Sequence, residues 1–339
     1  MNKKLSVFLN EIWYQGRFPW IMALLWPFSF LYGGLFFVWR LRYRYFYKKP
    51  VLKLPIIVIG NLTVGGTGKT PLTLGLLAFL KNKNLKVGVI SRGYKSKAEY
   101  AEAPVIIEDQ HRAVDVGDEA LLIFKETQAP VAVHHQRMRA VEALLIAHPD
   151  LDLILSDDGL QHLKLPRAME VVVVDGQRQF GNGYLLPAGP LREPLSRLKE
   201  VDFVVQSGVD FKLESFNLLP LNSANEKKSL DFVRGKTIHA VAGIGNPARF
   251  FASLEALGAE VICHSFPDHH AFVQADFSDF QNECIVMTAK DAVKCLNFIL
   301  PQACYLNTKI IFSPLFRDAF WQKLCYIMRL ELPYGSKDE

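Results

Sequence analysis

Residues 65–70 read Gly-Gly-Thr-Gly-Lys-Thr, residue types suited to holding phosphate. Glycines let backbone N–H groups close around phosphate oxygens. A lysine placed like Lys69 reaches β- and γ-phosphates, and the Thr70 hydroxyl can hold Mg²⁺. The candidate nucleotide-binding set is Thr63, Val64, Gly65, Gly66, Thr67, Gly68, Lys69 and Thr70, with Lys69 also a candidate catalytic group. The general P-loop pattern places glycine where this chain has Thr63, so Gly65 and Gly66 are expected to supply the flexibility instead.

Five other polar clusters can take part in chemistry. Ser91-Arg92-Gly93-Tyr94 offers an arginine for a phosphate or is an ordinary turn. In Val116-Gly117-Asp118-Glu119, Asp118 is either a helix N-cap, which spacing alone favours, or a base that orients an acceptor hydroxyl. Asp157-Asp158-Gly159-Leu160-Gln161-His162 ends an apolar run, the usual place for a Mg²⁺-side carboxylate; the alternative is a solvated turn. Adjacent carboxylates are costly unless a cation lies close. The loop Leu186–Pro194 carries Arg192, as an anion clamp or as part of a plain Pro/Gly connection. Phe266-Pro267-Asp268-His269-His270 raises a metal question, but adjacent histidines point apart. His269 is either a surface side chain or one that reaches across a cleft to orient a carboxylate.

These clusters need rigid elements to place them. Pro55–Gly60 reads as a buried strand leading into the glycine loop, and Pro71–Leu80 as the helix leaving it. Short apolar runs then alternate with helical stretches. Strands are expected at 86–90, 131–133, 151–155, 171–174 and 203–205, and helices at 119–125 and 138–147. This is the pattern of a doubly wound α/β/α sheet, in which ligands sit at the carboxyl ends of the strands. The polar stretch 222–228 reads as a linker. A second, smaller Rossmann-like α/β domain follows, with strands at 237–242, 260–263, 284–287 and 304–306 and helices at 247–257 and 289–298. A closing helix at 314–330 packs back on the first domain, and the tail 335–339 is loose. The resulting division is 1–50, 51–228 and 229–335.

Residues 1–15 hold an amphipathic helix start, and residues 18–39 then carry no charged side chain. That length suits a membrane span, and Pro27 with Gly33-Gly34 also suits a kinked or interfacial helix. The competing reading is a helix buried in the first domain. Arg40, Arg42, Arg44, Lys48 and Lys49, interleaved with tyrosines and Phe46, suit an anionic cytosolic membrane surface. A cleaved signal peptide fits poorly, because no small-residue cleavage site precedes the basic run. The 339 residues allow about two domains, and half are hydrophobic, which excludes a disordered chain. A formal charge of +5 does not imply nucleic acid. The five cysteines form no C-x-x-C pair, which argues against zinc and for isolated core thiols in a reduced compartment.

Taken in order, Gly-Asn-Leu-Thr-Val-Gly-Gly-Thr-Gly-Lys-Thr-Pro, Ser-Arg-Gly-Tyr, Val-Gly-Asp-Glu, Asp-Asp-Gly-Leu-Gln-His, Pro-Ala-Gly-Pro-Leu-Arg-Glu-Pro, Ala-Gly-Ile-Gly-Asn-Pro, Pro-Asp-His and Lys-Asp-Ala-Val-Lys resemble the tetraacyldisaccharide 4′-kinase family. Thr63 matches that family's own loop; Ala289 departs from it, where glutamate is expected before Lys290-Asp291. The resemblance implies transfer of the ATP γ-phosphoryl group to the 4′-hydroxyl of a tetraacylated glucosamine disaccharide 1-phosphate. It implies two Rossmann-like domains, joined by a short two-stranded link and closing over MgATP. It implies Asp118 as general base with His269 orienting it, Thr70, Asp157 and Asp158 on the Mg²⁺ side, and Arg92, Tyr94, His162 and Arg192 lining the cleft or meeting the lipid headgroup. The cofactors implied are ATP and Mg²⁺. The expected setting is the cytosolic face of a bacterial inner membrane, with a lipid-linked disaccharide substrate, no nucleic acid and no obligate protein partner. The rival classes are a membrane-associated P-loop GTPase or assembly ATPase and a nucleotide-binding scaffold without turnover. The chain lacks the N-K-x-D guanine signature, and the carboxylates weigh against a scaffold.

Overall fold

A computed structural model describes residues 3–48, 50–221 and 226–328. Lys49 of the basic flank, residues 222–225 of the expected linker, residues 329–330 of the closing helix and the 335–339 tail lie outside the described residues. By contact the chain forms two compact units, each drawn from several segments. One comprises Val7–Val89, His148–Lys212 and Ile311–Glu339, and holds Lys69; the other comprises Met1–Ser6, Ile90–Ala147 and Leu213–Ile310, and holds Asp118.

In chain order the elements are α1 (Lys3–Gln15), α2 (Pro19–Phe46), β1 (Ile56–Gly60), α3 (Lys69–Lys81), β2 (Val87–Ser91), β3 (Val105–Ile106), α4 (Ala113–Val116), α5 (Asp118–Thr127), β4 (Val131–Val133), α6 (Arg137–Ala147), β5 (Leu153–Ser156), β6 (Met169–Val174), β7 (Phe203–Gln206) and β8 (Phe211–Pro220). Then follow β9 (Thr237–Ala242), α7 (Pro247–Ala256), β10 (Glu260–Ser265), β11 (Ile285–Thr288), α8 (Ala289–Cys295), β12 (Cys304–Phe312) and α9 (Pro314–Met328).

In the Lys69 unit the strand order is β2-β5-β1-β6-β7. β1 runs parallel to both neighbours, with Ile57 opposite Leu155 on one side and Ile59 opposite Val171 on the other. β6 continues parallel to β7. Every residue of β1 and β6 is buried, as expected of strands covered on both faces. The central place of β1, with later strands added on opposite sides, makes its carboxyl end a topological switch point. α3 anchors the loop there by burying Leu72, Leu76, Leu77 and Leu80, each worth about 1.5–3 kcal/mol. Phe79 on the same helix meets Phe320 and Trp321 of α9 edge-on, and Phe203 of β7 packs against Phe316 and Phe320.

α2 is one unbroken helix of 28 residues, about 42 Å long, with Pro27 inside it. An interior proline removes one helical hydrogen bond. Contacts outside the helix hold it nonetheless. The Ser29 hydroxyl donates to Leu185 O at 2.7 Å and accepts from Ala188 N at 3.0 Å, Tyr32 Oη donates to Arg192 O at 2.8 Å, and Arg40 pairs with Glu200. Its other faces are exposed, including Trp20, Leu24, Phe30, Leu35, Phe37 and Val38. The structure therefore overturns the alternative of a helix buried in a core, and Trp20–Tyr43 is long and apolar enough to cross a membrane.

In the Asp118 unit β4 lies between an antiparallel β3 and the end of β2. A second sheet has the order β10-β9-β11-β12-β8, with β10, β9, β11 and β12 parallel. Alternate residues of β9 feed two cores. Ile238, Ala240 and Ala242 pack with Phe250, Phe251 and Leu254, while Val241 packs with Phe277, Ile285 and Met287. All five cysteines are free, and burial pushes the thiols of Cys295 and Cys304 up to about 12, so both are unreactive.

Candidate active site

The candidate residues fall into two sets, one in each unit. In the Lys69 unit, β1 delivers the chain into the loop 61–68, and α3 begins at Lys69. Two left-handed turns shape this loop, Gly65 at φ +102° and Gly68 at φ +94°. Thr63 is outside the left-handed region, so that position needs no glycine. It is buried and bridges to Leu191. Val64 N donates to Pro190 O at 2.9 Å, and Arg192 N donates to Leu62 O at 2.6 Å. The Pro/Gly segment before Arg192 is thus a strap on the phosphate loop rather than a plain connection.

Lys69 Nζ donates to Asn61 Oδ1 at 3.2 Å and lies 3.5 Å from Asp158 Oδ1. Arg192 Nη2 donates to Asn61 O at 3.0 Å, also reaches the Asn61 side chain, and stands 3.4 Å from Asp158 Oδ1. Asp157 is buried and accepts from Thr73 Oγ1 at 3.2 Å. Asp158 sits at φ +47°, a conformation costly outside glycine and often kept where a side chain must be aimed. Gln161 Nε2 donates to Asn61 O at 3.1 Å and to Glu193 Oε1 at 2.8 Å. His162 follows in the same turn, half-buried, its carbonyl accepting from Arg167 at 2.5 Å. The structure thus brings Lys69, Asp158 and Arg192 together around Asn61, with Asp157 beside α3.

The set suits a phosphate chain and a hard cation. Thr67 Oγ1 is buried with no hydrogen-bond partner among the described residues, in a loop that leads into a helix N-terminus. Thr70, Asp157 and Asp158 are hydroxyl and carboxylate oxygens, the donor class that Mg²⁺ takes, usually from one or two carboxylates together with phosphates. No group of three or more His, Cys, Asp or Glu suited to a metal occurs among the described residues.

In the Asp118 unit two motifs lock together through glycines. Gly117 has φ +93°, and a Cβ there would stand 3.0 Å from the Gly93 Cα. Gly93 has φ +68°, and a Cβ there would stand 2.3 Å from Val133 Cγ1. The Arg92–Tyr94 turn and the start of α5 are thereby held in contact. The cap of α5 is Gly117, with no side-chain cap bond, so Asp118 is not the N-cap that its spacing favoured. It is the first helical residue, and its Oδ1 accepts from Glu119 N at 2.9 Å.

His269, 151 residues away in sequence, donates from Nδ1 to Asp118 Oδ2 at 2.9 Å, with Oδ1 at 3.1 Å. It too occupies the left-handed region, at φ +59°. Tyr94 meets its ring edge-on at 5.2 Å. Arg92 is paired with Glu99 at 2.7 Å, and its guanidinium lies 6.0 Å from the Tyr94 ring centre. His270 pairs with Asp276 at 3.0 Å and takes no part.

A residue with no role assigned from sequence stands at the centre. Lys290 Nζ donates to Glu119 Oε1 at 3.0 Å and to Asp268 Oδ1 at 3.3 Å, lies 3.4 Å from His269 Nε2 and 3.8 Å from Asp118 Oδ2. Thr288 caps α8 by accepting from Asp291 N, and Asp291 accepts from Gly243 N at 2.8 Å, so the helix carrying Lys290 is fixed. Burial pushes the Asp118 carboxyl up, but the His269 hydrogen bond and the Lys290 charge outweigh it and hold it at about 2. Burial pulls Lys290 down, but the charges of Glu119, Asp118 and Asp268 raise it well above the ordinary lysine range. Asp118 is a carboxylate and Lys290 an ammonium across the working pH range.

Sequence reasoning also missed Asn61 and Gln161. The signal was present, since both lie inside the motifs that carry Lys69 and Asp158.

A family model described as tetraacyldisaccharide-1-P 4′-kinase matches residues 21–325. The chain is 43% identical over 325 residues to the tetraacyldisaccharide 4′-kinase of Legionella pneumophila, covering 94% of this chain and 97% of that protein. It is 44% identical over 306 residues to that of Methylobacillus flagellatus, covering 88% and 90%. Among solved structures it is similar to LpxK from Aquifex aeolicus in complex with ATP, with TM-score 0.72, 28% identity, and 89% of this chain and 99% of that one covered. A strapped phosphate loop, a carboxylate held by a distant histidine and matches over nearly the full length lead to one conclusion: the chain belongs to the tetraacyldisaccharide 4′-kinase family.

Proposed function

We propose that this chain transfers the γ-phosphoryl group of ATP to the 4′-hydroxyl of tetraacyldisaccharide 1-phosphate, in lipid A biosynthesis. The observation that carries this reading is the convergence of Lys69, Asp158 and Arg192 on one phosphate loop, in a chain of this family. Loop N–H groups and Lys69 bind the β- and γ-phosphates. Thr70, Asp157 and Asp158 would hold Mg²⁺, which supplies charge neutralisation on the phosphates. Asp118 accepts the proton of the attacking hydroxyl. The new O–P bond forms on the acceptor oxygen, the β–γ bridging bond breaks, and ADP leaves. His269 orients Asp118. Arg92, Tyr94, His162 and Arg192 engage the anionic sugar headgroup. Residues 51–228 form the nucleotide-handling part and 229–335 the smaller α/β part. The test is transfer of radiolabelled γ-phosphate from ATP to purified tetraacyldisaccharide 1-phosphate. A labelled lipid is expected. Hydrolysis of ATP or GTP with no labelled lipid sinks the reading in favour of a switch ATPase or GTPase.

The apolar faces of α2 seat the protein on the inner face of the cytoplasmic membrane, where its lipid substrate lies. Deleting the helix is a poor test, because Ser29 and Tyr32 brace the segment carrying Arg192. Phe30 and Phe37 are 76% and 61% exposed and avoid that contact. The Phe30→Glu, Phe37→Glu double variant is expected to move from the membrane pellet to the soluble fraction with its thermal melt unchanged. A variant that pellets like the parent would count against membrane seating by this helix.

A further inference from the structure

We propose that Lys290 is a positioning residue that fixes His269 as a neutral imidazole with its proton on Nδ1, and so keeps Asp118 as the single proton acceptor of the pair. This rests on the kinase reading for the role of Asp118, but not for the state of His269.

The argument starts from donors and acceptors. An ionised carboxylate only accepts, so the His269 Nδ1 at 2.9 Å from Asp118 carries the hydrogen. The other ring nitrogen, Nε2, lies 3.4 Å from Lys290 Nζ. An ammonium only donates, so Nε2 presents a lone pair to it. Protonating Nε2 would place two cations in contact. The groups facing the ring are Asp118 on α5 at Nδ1, Lys290 on α8 at Nε2, Asp268 in its own loop with Oδ2 3.8 Å from Nε2, and Tyr94, over whose ring Arg92 and Lys95 lie; Glu119 of α5 reaches Lys290. Lys294, one turn beyond Lys290, adds positive charge near Asp118 and is itself held by Asp291 at 2.7 Å. The two carboxylates at the ring, Asp118 and Asp268, would favour an imidazolium at position 269. Lys290 is the cation that occupies their centre first, bonded to Glu119 and Asp268. A salt-bridging lysine with no other task needs no imidazole nitrogen; here the fourth neighbour is the one that sets a tautomer.

The experiment uses full-length protein carrying ¹⁵N-histidine, with the His269 resonance assigned by its loss in His269→Asn. In the parent the Nδ1–H tautomer is expected at pH 7.5. In Lys290→Gln, His269 is expected to bind its proton at least tenfold more tightly, and the acid limb of the kcat–pH profile to move to higher pH in step, with KM for ATP unchanged. Lys290→Arg keeps the charge and is expected to restore the parent titration. An Nε2–H tautomer or an imidazolium in the parent overturns the proposal. So does a Lys290→Gln protein that loses activity uniformly with its His269 titration in place, the mark of a purely structural lysine. If Lys290→Gln does not fold, the parent tautomer and the Lys290→Arg titration decide: a raised titration with arginine present also overturns it. Failure of lipid phosphorylation by the parent sinks the kinase reading and leaves the tautomer result standing.

Discussion

Lys69→Ala is expected to lower kcat by about 10²- to 10³-fold while leaving the thermal melt in place. The size follows from the position of the charge. Lys69 is the first residue of α3 and points back over the loop that precedes it, with only 12% of its side chain exposed. A cation held there is already desolvated and aimed, so it stabilises phosphate charge without reorganising during transfer. The stability claim follows from its partners. Removing Lys69 leaves Asn61 bonded to Arg192 and leaves Asp158 with Arg192 at 3.4 Å, so no buried group is stranded. The hydrophobic anchor of α3 is untouched. The measurement is single-turnover transfer beside a melt. A near-normal rate in a folded protein removes the phosphate-loop assignment, and with it the proposed nucleotide-binding role of the Lys69 set.

Local sequence made the Lys69 set legible. Five consecutive apolar residues, a glycine loop and a leucine-rich helix lie within 26 residues, so strand, loop and helix are each specified by neighbours in the chain. Most ends shifted by one or two residues, as at β5, which starts at Leu153 rather than 151, but β12 runs on to Phe312 where 306 was expected and α8 stops at Cys295 where 298 was expected. β8 was missed. Its sequence Phe-Lys-Leu-Glu-Ser-Phe-Asn-Leu-Leu-Pro mixes charge with apolar residues, and the alternation of exposed and half-buried positions is the only signal of an edge strand. β3, two residues long, carries no periodic signal at all. The Asp118 set was legible in a different way. No spacing rule brings positions 118 and 269 together; only resemblance to a family did. Lys290 lay inside a quoted motif yet received no role, because a lysine's task depends on what surrounds its end. The docking of α2 was hidden for the same reason: Ser29 and Tyr32 look like ordinary members of an apolar helix until their partners at 185, 188 and 192 are known.

Asp118→Asn and His269→Ala are each expected to lower kcat by about 10²- to 10⁴-fold with little change in the KM for ATP, and the double variant is expected to be scarcely worse than the more damaging single one. A carboxylate held at about 2 is a weak base, which at first counts against Asp118. The nature of phosphoryl transfer resolves this. In a loose transition state the attacking oxygen has formed little bond, and its proton is still largely its own. The carboxylate is needed first as an aimed negative acceptor. Once the O–P bond has formed, the hydroxyl proton is strongly acidic and even a weak base takes it. Orientation matters more than basicity, and orientation is what His269 provides, with one Nδ1–H shared over both carboxylate oxygens at 2.9 and 3.1 Å. Asparagine at 118 keeps the bond from Glu119 N but loses the charge and half of the acceptor capacity. Alanine at 269 leaves Lys290 at 3.8 Å to compensate the carboxylate, so the variant stays folded while Asp118 loses its aim. Because each single change disables the same unit, the losses do not add. A helix-start residue with no chemical task predicts otherwise: Asp118→Asn would keep full activity. Full activity in that variant, or strictly additive losses in the pair with melts unchanged, would refute a coupled carboxylate–imidazole pair.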